Sequence, residues 1–127
     1  MPSERYEKGL ANRKAVMGDA FVERALSAAS PFSQPLQDAA IENAWGTVWE
    51  RDGLPKKTRS LVTLSMLVAL RASTELKGHV RGALRNGCTV EEIQEVFLHA
   101  SAYCGFPAAV EAFRAAEPVI EEWLEQE

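Results

Sequence analysis

The chain lacks several features that mark membrane, secreted and metal-binding proteins. No apolar run approaches the ~20 residues that a membrane-spanning helix needs. The first residues also lack the apolar centre of a secretory signal, so we expect a cytoplasmic protein without a membrane partner. There are two cysteines, Cys88 and Cys104, and neither has a second cysteine two or three residues away. The sequence therefore predicts no metal site and no dithiol redox motif.

The chain also lacks alternating strand patterns, internal repeats and low-complexity linkers. Every strong periodicity is helical, which predicts an all-α fold of about seven helices. At 127 residues the chain is long enough to bury a core without disulfide or metal staples. We therefore expect one domain over residues 1–127.

Charge is unevenly distributed. The net charge is -4, yet residues 56–85 contain seven basic residues and one acidic residue, so this segment carries +6 and the remainder -10. A positive segment in an acidic protein suits a small anionic ligand, whereas an ordinary solvated helix face explains the pattern about equally well. Nucleic acid is not the expected partner, because no basic run exceeds two residues and no aromatics alternate with the basic residues.

Helix boundaries are marked by capping residues, glycines and prolines. Ser3 and Asp19 are predicted to cap the first two helices, and Thr89 to Glu92 forms a capping box. Pro118 should kink the last helix. The predicted helices run from Ser3 to about Met17, from Phe21 to Ala29, from Ser33 to the break at Asp52-Gly53, from Pro55 to Leu70, from Glu75 to Gly87, from Thr89 to Gly105, and from Pro107 onward.

The helix over Glu75 to Gly87 is the element around which the chain is organised. Its apolar residues recur at spacings of three and four, which indicates one buried face; they are Leu76, Val80, Ala83 and Leu84. His79 borders this face. Ser73 or Thr74 can cap the start, and Asn86-Gly87 supplies a residue able to take the left-handed conformation that ends a helix.

A set of motifs in a fixed order resembles the 4-carboxymuconolactone decarboxylases, within the wider group that includes alkyl hydroperoxidase D. The resemblance covers nearly the whole chain. Its motifs are Arg5-Tyr6-x-x-Gly9-Leu10, Trp45-Gly46-x-Val48-Trp49, Gly53-Leu54, Thr58-Arg59-Ser60-Leu61-Val62, Glu75-Leu76-x-x-His79-Val80-Arg81-Gly82-Ala83-Leu84-x-Asn86-Gly87, Glu91-Glu92-Ile93, Leu98-His99, and Tyr103-Cys104-Gly105-x-Pro107-Ala108-Ala109.

The resemblance implies an all-helical subunit of a ring-like homo-oligomer, a hexamer or a trimer, with active sites near subunit contacts. The implied reaction is decarboxylation of 4-carboxymuconolactone to the enol-lactone of 3-oxoadipate, on the route of protocatechuate catabolism. No cofactor is implied, because the lactone carbonyl takes up the electron pair that carbon dioxide leaves behind. The enzyme must bind a carboxylated lactone and deliver a proton to carbon.

His79 is the predicted proton donor, since it stands at the family's motif position and its ordinary pKa suits proton delivery. Without the resemblance, a histidine that merely packs would be the better interpretation. Glu75, one turn earlier, should face the same side and orient the imidazole. His99 is the reserve acid or base, although a buried, hydrogen-bonded structural histidine is at least as good an interpretation.

Arg59 and Arg81 are the predicted substrate-binding cations, because a guanidinium matches a carboxylate with two parallel hydrogen bonds. Arg81 points about 160° away from His79 on the same helix, so it would serve an adjacent subunit or pair with an acid. Trp45, Trp49 and Tyr103 could wall the pocket, but aromatics at helical spacing are more often core residues.

Two departures from the family pattern bear on the substrate. Thr47 stands where the family's motif has glutamate, and Gly78 stands where it has a larger apolar residue. The main alternative is therefore a member that binds or isomerises a related anionic metabolite. Peroxiredoxin-like thiol activity is a weaker alternative, because Ala72 and Glu75 occupy the positions of the peroxidase-like relatives' two cysteines.

Overall fold

The computed structural model describes residues 2–126, and all of its regular elements are helices, which confirms the all-α prediction. Seven α-helices and one π-helical segment, which we call π1, follow one another along the described chain. They are α1 (Glu4–Met17), α2 (Asp19–Ala28), α3 (Gln34–Ala40), π1 (Ile41–Val48), α4 (Lys56–Leu70), α5 (Ser73–Arg85), α6 (Val90–Cys104) and α7 (Phe106–Glu125).

The chain forms two compact units, over Met1–Lys56 and Lys57–Glu127. Each has its own apolar core. The single domain over residues 1–127 stays a prediction. None of the helices within residues 2–126 is long and apolar enough to cross a membrane.

In the first unit, α1 packs closely against π1. Glycine makes this approach possible, since a Cβ on Gly9 would lie 2.0 Å from the carbonyl oxygen of Ile41 and one on Gly46 would lie 2.3 Å from that of Arg5. Both glycines belong to motifs quoted above. The core beneath them consists of Val16, Met17, Val22, Trp45 and Trp49.

π1 departs from the single α-helix predicted between Ser33 and the break at Asp52-Gly53, and it ends earlier, at Val48. The change of helix type occurs at Ile41, where the hydrogen-bond pattern widens to five residues. The hydroxyl of Thr47 follows the same wider spacing and donates to the carbonyl oxygen of Glu42 at 3.0 Å. Widened turns of this kind are frequent at functional sites.

In the second unit, α7 packs against both α5 and α6. The buried core includes apolar residues from all four helices, and its fully buried side chains include Leu64, Leu76, Val80, Ile93 and Phe97. The rings of Phe97 and Phe113 meet edge to face at 5.5 Å. This core confirms the predicted buried face of α5.

Most predicted helix ends are confirmed. The Ser3 hydroxyl accepts from the backbone N–H of Tyr6, and the Thr89 capping box is complete. Gly87 and Gly105 have φ angles of 92° and 95°, the left-handed region in which a side chain is strained. α7 continues through Pro118, which has no backbone N–H to donate.

Two predicted caps are wrong. Asp19 is the first helical residue of α2 rather than its cap, because Gly18 occupies the cap position. α5 begins at Ser73, and the cap position is held by Ala72, so neither Ser73 nor Thr74 caps it from outside. In both cases the helix extends further towards the N-terminus than the capping side chain indicates.

Candidate functional site

α5 places His79 at the edge of its buried face. Leu76 and Val80 on either side are buried, whereas His79 is half-buried. A half-buried imidazole keeps part of its surface accessible, which suits a proton donor.

Glu75 lies in the first turn of α5 and is exposed. The helix is unbroken between Glu75 and His79, so the two residues stand one turn apart, about 6 Å along the axis, on neighbouring parts of the helix surface. Glu75 lies at the N-terminal end of α5, where acidic side chains are commonly found because of the helix dipole.

Arg59 lies half-buried near the start of α4, in a turn held by polar contacts. The neighbouring Ser60 is buried and its hydroxyl accepts from the side-chain amide of Asn86 at 3.2 Å. Lys57 forms an ion pair of 3.1 Å with Glu92 on α6. Contacts from α5 and α6 thus fix the backbone that carries Arg59.

The Ser60–Asn86 contact was not predicted. Asn86 is identified from the sequence only as part of a helix end, and its side chain also donates to the carbonyl oxygen of Gly82 at 2.9 Å. Ser60 directly follows four polar residues, Lys56 to Arg59, so no signal in the sequence indicates that this serine is buried.

Arg81 is paired with an acid. Its guanidinium lies 3.5 Å from the carboxylate of Glu122 on α7. Of the two roles expected for an arginine that points away from His79, the structure shows the ion pair. A carboxylate ligand at Arg81 would have to compete with Glu122.

The basic segment of residues 56–85 is partly neutralised in the same way. Three of its seven basic residues pair with acids of α6 or α7: Lys57 with Glu92, Arg71 with Glu111, and Arg81 with Glu122. The Arg71 guanidinium lowers the pKa of the Glu111 carboxyl by hydrogen bonding. These pairs support the interpretation of much of the segment as an ordinary charged helix surface.

His99 and Tyr103 form a ring pair on α6. Their centroids are 5.1 Å apart at an interplanar angle of 31°, and both residues are exposed. The buried structural interpretation of His99 and the core interpretation of Tyr103 are therefore wrong. Position along the helix could not show this, since exposure depends on what packs against that side of α6. The pair borders a groove with Ser65, Met66, Ala69, Ala100 and Cys104.

Trp45 and Trp49 lie in the first unit, where their rings stack at 4.9 Å. Both are buried in the core of that unit with Val16 and Met17. The packing interpretation therefore holds for these two rings. A role of the same side chains as a pocket wall remains a prediction.

The two cysteines differ in environment. Cys88 is buried and donates to the carbonyl oxygen of Lys57 at 3.5 Å, and burial raises the pKa of its thiol. Cys104 is exposed. Within residues 2–126 there is no group of three or more histidine, cysteine and acidic side chains arranged to hold a metal ion.

A cleft between α6 and α7 contains none of the candidate residues. It has a volume of about 180 Å³ and a mainly apolar lining that includes Ile93, Phe97 and Phe113. Glu117 and Glu121 stand at its rim. Two carboxylates at the entrance would repel a dianionic substrate, so this cleft is not the expected substrate site.

Comparison with known proteins gives concordant results. The chain is 44% identical over 121 residues to the nitrosuccinic acid decarboxylase of Metarhizium robertsii, covering 95% of this chain and 85% of that protein. It is 43% identical over 119 residues to the 4-carboxymuconolactone decarboxylase of Acinetobacter baylyi, covering 94% and 89%. Both relatives are decarboxylases, as expected for a carboxy-lyase. Residues 34–118 match the model of the carboxymuconolactone decarboxylase family, and the chain belongs to that family.

Proposed function

We propose that the protein is a decarboxylase of 4-carboxymuconolactone that produces the enol-lactone of 3-oxoadipate. The observation that carries the proposal is the similarity, over nearly the full chain, to a decarboxylase of this substrate. The proposal places the protein in the cytoplasm, in the catabolism of protocatechuate.

The reaction needs no cofactor, because the substrate provides its own electron sink. The bond from the ring carbon to its carboxylate breaks, and the electron pair moves through the ring double bond into the lactone carbonyl. The resulting dienolate then takes a proton on the ring carbon next to the carbonyl. The protein has to bind the carboxylates, stabilise the developing oxyanion and supply this proton.

In this scheme His79 supplies the proton and Glu75 orients its imidazole. Arg59 binds a carboxylate, supported by its position on a turn fixed through Ser60 and Lys57. Arg81 is the weaker candidate for binding a carboxylate of the substrate, because it already pairs with Glu122. His99 is the reserve acid, and its exposed position on α6 leaves it accessible.

Nitrosuccinic acid is the second candidate substrate, since the relative that acts on it is as similar to this chain as the lactone decarboxylase is. The chemistry is parallel. Loss of the carboxylate next to the nitro group leaves an electron pair that the nitro group accepts as a nitronate, and protonation on carbon follows. Thr47 and Gly78 are the positions at which a change of substrate is most readily explained.

The test is an ultraviolet assay of lactone loss with carbon dioxide release, using 4-carboxymuconolactone generated in place by the cycloisomerase that forms it. Nitrosuccinate is assayed in parallel. We expect lactone turnover, with His79→Ala lowering kcat by roughly 10²-fold or more because general acid catalysis contributes that much.

His99→Ala is the matched control and should retain most of the activity. Near-wild-type turnover in His79→Ala, with loss in His99→Ala, would transfer the acid role to His99. Turnover of nitrosuccinate alone would replace the lactone as substrate, and turnover of neither acid by the folded protein would overturn the proposal.

A further inference from the structure

The cleft between α6 and α7 has no part in the proposed reaction. Its lining includes Ile93 and Phe97 of α6, which are buried, and Phe113 and Ile120 of α7, which are half-buried. The cleft thus leads from the surface of the second unit to its apolar core. Its volume is about 180 Å³, and an apolar cavity of roughly 150 Å³ admits a molecule the size of benzene. The cleft is therefore large enough for the apolar part of a small organic molecule.

The charged side chains that line the cleft are all acidic. Glu117 and Glu121 are exposed on α7, and they follow Phe113 at intervals of four residues, so the three lie on the same side of the helix. No lysine, arginine or histidine is among the described residues that line the cleft. Neither carboxylate forms an ion pair within residues 2–126, whereas Glu111 and Glu122 of the same helix do. Both charges are therefore available to a ligand.

We propose that this cleft binds a small organic ammonium ion that carries an aromatic ring. The ring occupies the space lined by Phe97 and Phe113 and packs against their side chains. The ammonium group stays at the rim, in contact with water, and donates hydrogen bonds to Glu117 and Glu121. Because paired carboxylates attract cations and repel anions, the cleft selects its ligand by charge as well as by shape.

A metal ion fits the cleft less well. Ca²⁺ takes about six to eight oxygen ligands, and the side-chain oxygens of the lining come from Gln94, Glu117 and Glu121 alone. A metal ion would also leave the apolar lining in contact with water, whereas an aromatic ring covers it. The apolar lining and the two carboxylates together favour an organic cation.

The cleft is separate from the candidate decarboxylase site. None of the predicted catalytic or substrate-binding residues lines it. Binding of the ammonium ion is measured without any acid substrate, so the proposal does not depend on which acid the protein decarboxylates.

Isothermal titration of the whole protein with 2-phenylethylammonium tests the proposal. The matched probes are 2-phenylethanol, which has the same ring and chain without the charge, and 3-phenylpropanoate, which has a negative charge instead. We expect saturable binding of one ammonium ion per chain. The alcohol should bind more weakly by roughly tenfold or more, because it lacks the hydrogen bonds between charged groups. The carboxylate should not bind.

The double variant Glu117→Gln/Glu121→Gln should bind the ammonium ion more weakly by roughly tenfold or more, for the same reason. Its matched control is Glu95→Gln/Glu125→Gln, which removes two exposed carboxylates outside the lining and should leave the affinity unchanged. Gln94→Lys is a second test that keeps both carboxylates. It places a lysine ammonium at the rim, where it competes with the ligand, so it should also weaken binding. Circular dichroism checks the helix content of each variant.

Nuclear magnetic resonance of isoleucine methyl groups locates the bound ion. Signals of Ile93 and Ile120 should shift on addition of 2-phenylethylammonium, since both side chains line the cleft. Shifts confined to methyl groups outside the cleft would place the ion elsewhere and overturn the proposal. Lack of saturable binding, equal affinity for the alcohol, or unchanged affinity in both the double glutamine variant and Gln94→Lys would overturn it as well.

Discussion

The side-chain amide of Asn86 joins two helices by donating to the hydroxyl of Ser60 at 3.2 Å. Ser60 is only 1% exposed, and it is the one buried polar residue among those that the structure describes. Asn86 stands at the end of α5, and Ser60 follows Arg59 on α4. This contact therefore couples the helix that carries His79 to the turn that carries Arg59.

Removal of this amide should destabilise the protein. Asn86→Ala leaves the Ser60 hydroxyl buried without its donor, so we expect a loss of about 1–3 kcal/mol in the free energy of unfolding. Chemical denaturation measures it. In the background of Ser60→Ala the same change should cost less, because the hydroxyl is then absent. Equal costs in both backgrounds would show that the contact contributes nothing.

The approach of α1 to π1 gives a second prediction. Gly9→Ala would place a Cβ 2.0 Å from the carbonyl oxygen of Ile41, and backbone atoms cannot move aside as a side chain can. We expect a loss of roughly 2–4 kcal/mol despite alanine's higher helix propensity. Gly53→Ala is the control, since no atom lies within 4 Å of its added Cβ. Similar melting temperatures for the two variants would mean that the close approach is not maintained in solution.

The capping box of α6 predicts a pH dependence. Hydrogen bonds from the Thr89 backbone N–H and from Lys57 hold the pKa of the Glu92 carboxyl below its ordinary value of 4.5. Because the folded state favours the ionised form, this stabilisation is complete above the unfolded pKa and is lost as pH falls through the lower, folded pKa.

Thermal melts of the wild type and Glu92→Gln at neutral and at acidic pH test this pH dependence of stability. Glutamine can still complete the capping box but carries no charge. The difference in Tm should be largest near neutral pH and should shrink below about pH 4.5. In the background of Lys57→Met the difference should be smaller. A constant difference at every pH would show that the charge of Glu92 is not the cause.

Local signals predict the fold well where a short stretch of chain determines the outcome. The capping box at Thr89, the glycine at Gly87 and the apolar face of α5 are all as predicted, since each depends on residues within two turns. The widening at Ile41 is not predicted, because no residue pattern in the sequence distinguishes it from a continued α-helix. α1 packs against π1 in the folded unit, a tertiary contact that periodicity cannot show.

The candidate site is less predictable for the same reason. Periodicity places His99 and Tyr103 on one side of α6, but only the packed structure shows that this side is exposed. The choice of Glu122 as the partner of Arg81 likewise depends on how α5 meets α7. Residue types and family motifs identify candidates, whereas their partners follow from the tertiary fold.

Thr47 offers the sharpest test of substrate choice. Its hydroxyl donates to the carbonyl oxygen of Glu42, and both groups are accessible to water, so Thr47→Glu should change the free energy of unfolding by less than about 1 kcal/mol. Since the family's motif usually has glutamate there, we expect the substitution to raise kcat/KM for 4-carboxymuconolactone relative to nitrosuccinate. Competition assays with both acids measure this ratio directly.

The control is Thr47→Gln, which has the length of glutamate without its charge. A shift of the ratio in the glutamate variant alone assigns specificity to the carboxylate, because the two side chains otherwise occupy the same space. Equal shifts in both variants would assign the effect to size. If the glutamate variant loses lactone turnover while remaining folded, the threonine is itself part of the working site, and the lactone preference must arise at other positions, of which Gly78 is the first to test.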